Sequence, residues 1–215
     1  MAEQNQSLAD LQHIKKMMER SGRFISLSGL SGVAAGICAL AGAWFAYQNI
    51  HSWGAGNCLL NDFSNEPCVI KLDVLLLIAG VTFAAAFISA FIFTYLRSKK
   101  NNVSLWGPGA MRLFWNTFIP LAAGSIFIFR MLQAGMFGLI APGCLIFYGL
   151  ALVNASKYTL GEIRYLGYCE IILGIINLWS IGYGLEFWAI GFGLLHITYG
   201  IAMWWKYERK TSDSM

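Results

Sequence analysis

Charged side chains are what this chain has least of. Asp, Glu, Lys and Arg make up 12% of it, while hydrophobic residues reach 57%. A typical soluble domain carries roughly 25% charged residues, so an ordinary water-surrounded fold is excluded. Proline is also rare, at 4 of 215 residues, and no Pro/Ser-rich or low-complexity stretch divides the chain, which implies one compact unit. No two of the 5 cysteines stand in CxxC spacing, which removes a thiol-disulfide exchange motif. No glycine-rich phosphate loop, RNP-type motif or basic helix array occurs, so the net charge of +4 does not point to nucleic acid as a partner. The spacing of His, Cys, Asp and Glu matches no metal-ligand pattern, and no cofactor is expected.

What the chain does have is long apolar runs. Six of them, at about 24–47, 73–96, 113–132, 136–155, 165–183 and 185–205, each approach the roughly 20 residues a helix needs to cross about 30 Å of hydrocarbon. Helices are required because every backbone polar group must be satisfied inside the bilayer. The sequence therefore predicts an all-α membrane protein with a six-helix transmembrane domain over 23–206. Pro120 and Pro142 each remove a backbone donor and are expected to kink their helices.

Segment 1–22 is polar. Ser7 and Asp10 resemble a capping box, and Leu8, Leu11, Ile14 and Met17 recur at helical spacing, which predicts a short amphipathic helix. A cleaved signal peptide is rejected, because the polar segment is too long and the apolar run continues past Ala43. The basic residues then fix the orientation. With the N-terminus inside, 13 of the 15 Lys and Arg residues fall on the cytoplasmic side and only Lys71 and Arg130 fall outside, as the positive-inside rule requires. Both termini are thus expected in the cytoplasm, with 207–215 as a charged tail.

Within this frame few residues can carry chemistry. Glu170 in the fifth span and His196 in the sixth lie thirteen residues on either side of Tyr183, near the connecting turn, so an antiparallel hairpin places them at nearly equal depth. A charge there costs at least about 2.5–3.5 kcal/mol, and such groups face a bundle interior or a cavity. Asn177 lies two turns from Glu170 on the same face, and Tyr199 flanks the His196 face. The pair could relay protons or bind a cationic solute, or it could form an interhelical hydrogen bond worth about 1 kcal/mol that fixes packing. Arg130 and Glu186 fall at one level near the outer ends of spans three and six, an interfacial anchor or an anion contact. Cys58 and Cys68 share the outer loop, where an oxidising compartment would allow a disulfide. Ser28, Gly32 and Gly36 form a small-residue face on the first span that should pack against another helix or another subunit.

Residues Met17 to Gly36, including Met18-Glu19-Arg20-Ser21-Gly22 and Phe24-Ile25-Ser26-Leu27-Ser28-Gly29, resemble the N-terminal signature of a group of small, uncharacterised multi-spanning bacterial membrane proteins. The ending His196-Ile197-Thr198-Tyr199-Gly200 with Lys206-Tyr207-Glu208 belongs with it. The resemblance implies a bacterial inner-membrane protein and brings no activity, ligand or site residues. Gly29-Leu30-Ser31-Gly32 also matches the GxSG of rhomboid proteases, but on the first span at the wrong end, so no protease is inferred. The expected role is non-enzymatic: small-solute binding, transport or sensing at the span five/span six face. The alternative is a structural or regulatory subunit that acts through a homo-oligomer or another protein, using the Gly32/Gly36 face and the N-terminal helix.

Overall fold

The computed structural model describes residues 28–52, 72–100 and 107–206. The amphipathic segment 1–22, the loop cysteines Cys58 and Cys68, and the tail 207–215 lie outside the described residues. Those described are helical, without strands. In chain order they form α1 (Gly29–Ser52), α2 (Leu72–Lys100), α3 (Pro108–Gln133), a 3-10 turn (Phe137–Leu139) leading into α4 (Ile140–Ala155), and α5 (Ile163–Trp179). The last segment is continuous from Gly184 to Trp204: α6 (Gly184–Trp188), a π-helical stretch (Ala189–Leu195) and α7 (His196–Trp204).

Five of these helices are long and apolar enough to cross a membrane: Gly29–Ile50, Asp73–Lys100, Pro108–Gln133, Phe137–Ala155 and Gly184–Trp204. The fifth apolar run is shorter than expected. It forms α5, 17 residues and so about 25 Å long at 1.5 Å per residue. The helix stops at Trp179 rather than Tyr183 because the Asn177 side chain donates to the Ser180 carbonyl (3.2 Å) and Gly182 takes φ 105° to turn the chain.

Two prolines sit differently from expectation. Pro108 is the first residue of α3, where φ is already right and no N–H is needed, so the helix begins five residues before Leu113. Pro142 is the third residue of α4, in the first turn, where its missing donor would have had no intrahelical partner anyway. Among the described prolines only Pro120 lies in a helix interior. Between α3 and the 3-10 turn, Gly135 at φ 72° closes the helix with Gly135 N–H to Leu132 O and Met136 N–H to Met131 O, a Schellman ending.

Packing is through glycine. Gly29, Gly32 and Gly36 of α1 abut the last segment at Gly200, His196, Gly193 and Trp204, so the small-residue face is taken up by a helix of the same chain. Gly149 of α4 and Gly167 of α5 face each other so closely that a Cβ on either would stand 2.7 Å from the other's carbonyl oxygen. Gly42 of α1 meets Thr82 of α2, and Gly124 of α3 meets Phe147 of α4. Asn154 Nδ2 donates to Asn116 O (2.8 Å), a polar link between α4 and α3. Every one of these contacts is antiparallel. Direction therefore alternates along the chain, and seven of the eight described Lys and Arg residues (Arg97, Lys99, Lys100, Arg112, Lys157, Arg164 and Lys206) share one end, with Arg130 at the other. Lys206 pairs with Glu162 at 2.6 Å across that basic end.

Candidate functional site

The site is built where the last segment crosses α4 and α5. On α5, Gly167, Glu170, Gly174 and Asn177 are buried, a face in 3-4-3 spacing that turns inward because its small members allow close approach. Glu170 has no exposed surface. Across from it, His196 opens α7 and is 7% exposed, with Nδ1 3.5 Å from Glu170 Oε1. The two side chains meet.

The π-helical stretch shapes the contact. Gly191 within it has no side chain, and a Cβ there would lie 2.5 Å from both Glu170 Oε2 and Leu145 Cδ2. The Gly191 carbonyl stands 3.0 Å from His196 Nδ1. A carbonyl oxygen only accepts, so Nδ1 carries hydrogen and donates to it. In the neutral ring Nε2 is then an acceptor, and Tyr148 Oη, 2.7 Å away, donates to it. Tyr148 comes from the middle of α4. Phe192 closes one face of the imidazole, stacked at 6.0 Å and 20°, and Tyr148 lies against the ring at 5.4 Å. Trp188 packs on Phe192 in turn at 5.2 Å.

Glu170 is the exception in this network. Neither carboxyl oxygen has a hydrogen-bond partner, although a buried polar group without one costs roughly 1–3 kcal/mol and more if charged. Asn177 is equally buried; its Nδ2 donates to the Ser180 carbonyl at the helix end, while its Oδ1 also has no hydrogen-bond partner. Tyr199 packs against Leu160, Ile163 and Met203. Arg130 and Glu186 are both exposed, and no ion pair joins them. Cys38, Cys144 and Cys169 carry free thiols. Among the described residues no group of three His, Cys, Asp or Glu side chains converges as a metal site would need.

Tyr148 is the member that sequence reasoning missed. Its signal was depth: Tyr marks membrane interfaces, and one in the middle of an apolar run is out of place unless its hydroxyl has a partner. No protein-family model, curated protein or solved structure matches this chain. The all-helical fold, with five helices long and apolar enough to cross a membrane, is compatible with an integral membrane protein.

Proposed function

We propose that this chain is a six-span protein of the bacterial inner membrane, with both termini in the cytoplasm, and that it binds, passes or senses a small solute at the Glu170–His196 face. The gathering of seven described basic residues at one end supports the orientation through the positive-inside rule. The likeness of both chain ends to small multi-spanning bacterial proteins supports the compartment. Taken as the fifth span, α5 crosses a slightly thinned or locally hydrated slab, within the mismatch that helices tolerate.

One observation carries the functional reading: a fully buried carboxyl group with two unpartnered oxygens beside an imidazole. A residue retained only to fix packing would engage its polar atoms. An intramembrane carboxyl that does not is a functional group by default. Infrared difference spectroscopy of the purified protein tests this. A carboxyl band that comes and goes with pH or with an added solute, and that is lost in Glu170→Gln, supports the reading. A protein with no such band under any condition, merely destabilised by the substitution, contradicts it.

A second reading, a structural or regulatory subunit, draws on α2 and α3, since only 6% of each of these spans is buried within the chain. The Gly32/Gly36 face is already occupied by the last segment, so a partner would meet α2 or α3 instead. Cysteine cross-linking along the exposed face of α2 (Phe83, Phe87) in native membranes distinguishes the two: specific adducts favour a subunit role, and their absence with intact Glu170 chemistry favours the first reading.

A further inference from the structure

We propose that the species handled at this site is the proton, and that Tyr148 is the residue through which it reaches Glu170. The inference rests on the reading of Glu170 and His196 as a functional pair. It adds the identity of the solute and a third residue.

Space supports it first. A methyl group placed on Gly191 would come within 2.5 Å of Glu170 Oε2 and of Leu145, so nothing methyl-sized fits between the carboxyl and Gly191. Phe192 and Tyr148, 5.0 Å apart ring to ring, crowd the imidazole from one side. A divalent ion would want several hard or imidazole ligands, yet among the described residues no third His, Cys, Asp or Glu joins the pair.

Connectivity supports it second. Tyr148 Oη, His196 Nε2, His196 Nδ1 and Glu170 Oε1 form a line of protonatable atoms with steps of 2.7 and 3.5 Å on either side of the ring. Tyr148 is half-buried as a residue, His196 is 7% exposed and Glu170 has no exposed surface. The longer step closes by rotation of the Glu170 carboxyl, whose oxygens have no competing partner. Such contacts commonly tighten only in the working state. The other groups that could bear on the pair are few. Cys144 and Tyr148 are the titratable residues of α4 near it, α5 contributes Glu170 itself, and α1 has no Asp, Glu, Lys or Arg between Gly29 and Ser52.

The transfer balances. The Tyr148 O–H bond breaks as Nε2–H forms, and Nδ1–H breaks as Glu170 Oε1–H forms. A hydronium ion from the aqueous phase returns a proton to the tyrosine oxygen and is left as water. One proton has moved from hydronium to the carboxylate, no electron has moved, and the imidazole has exchanged one neutral tautomer for the other. Nδ1 then presents a lone pair to the Gly191 carbonyl oxygen, so the π-helical stretch must give way or the proton must return. Reversibility is built into the contact.

The test is hydrogen/deuterium exchange at the Glu170 carboxyl in the full chain in nanodiscs, followed by the shift of its infrared band on transfer to D2O. Tyr148→Phe keeps the ring and removes only the relay hydroxyl, so exchange should slow by about tenfold, the rate equivalent of one hydrogen bond. Equal exchange rates in wild type and Tyr148→Phe overturn the route through Tyr148. A band that moves only when sodium or tetramethylammonium is added, with no exchange in D2O, overturns the proton but leaves the solute site standing. If no band is lost in Glu170→Gln, the site reading itself fails. Circular dichroism melts of each variant separate these outcomes from misfolding.

Discussion

Tyr148 Oη and His196 Nε2 stand 2.7 Å apart, joining the middle of α4 to the first residue of α7 inside an apolar bundle. With Nδ1 committed to the Gly191 carbonyl at 3.0 Å, that hydrogen bond fixes the imidazole tautomer. It also leaves the ring's Nδ1 edge beside Glu170. A site of this kind behaves as a unit, and each member can be tested alone.

Replacing Tyr148 by Phe keeps the contacts with Phe192 and the imidazole but leaves Nε2 without a donor. The loss should be about 1–2 kcal/mol, read as a lowered midpoint in thermal unfolding of the detergent-solubilised protein. An unchanged midpoint would mean that the hydroxyl is not engaged.

Glu170→Gln and Glu170→Ala should diverge. The glutamine keeps the volume and removes an ionisable group that has no hydrogen-bond partner, so stability should be unchanged or higher. The alanine opens a cavity beside Leu145 and Gly191 and should cost about 2–3 kcal/mol. A glutamine variant as unstable as the alanine variant would show that the carboxylate is a structural element after all.

The α4–α5 contact is tested by paired glycine substitutions. In Gly167→Ala the new Cβ meets the Gly149 carbonyl oxygen at 2.7 Å and the Val153 side chain and amide. Backbone cannot step aside as a side-chain tip can, so a loss of about 1–3 kcal/mol is expected. Gly80→Ala has nothing within 4 Å and should be neutral or stabilising by up to about 1 kcal/mol through helix propensity. Equal effects in the two variants would contradict the packing described.

Asn154→Leu removes the donor to the Asn116 carbonyl (2.8 Å). Interhelical hydrogen bonds in membranes average about 0.6 kcal/mol, so the variant should fold with a small loss in unfolding midpoint. The helix pair retains Gly124 against Phe147, and a collapse of the fold would assign Asn154 a larger part than its geometry supports.

The apolar runs were legible in the sequence because membrane spans announce themselves by length and composition. Their ends were less so. Leu178-Trp179-Ser180-Ile181 reads as continuous apolar chain, and only Gly182 hinted at the turn that ends α5 at Trp179. Pro108 falls outside the apolar run 113–132 and is a helix start, because the sequence alone does not say on which side of the boundary a proline stands. Glu170 and His196 could be singled out as rare ionisable groups at similar depth, but not which way either pointed. In a bilayer the outside of a helix is as apolar as its inside, so hydrophobic periodicity carries little information about rotation. That is why Tyr148 passed unnoticed and why the Gly32/Gly36 face could not be assigned between helix and subunit. The π-helical turn at Ala189–Leu195 has no sequence signature beyond its two glycines.

Tyr148, His196 and Glu170 form one coupled cluster, and nitrogen NMR of 15N-histidine-labelled full-length protein in nanodiscs reads that coupling directly. The chain has 3 histidines, and His196→Gln assigns the signal. The expected result is a neutral ring with hydrogen on Nδ1, and a spectrum that changes in both Tyr148→Phe and Glu170→Gln while the signals of His13 and His51 stay put. A ring with hydrogen on Nε2, indifferent to both substitutions, would contradict it.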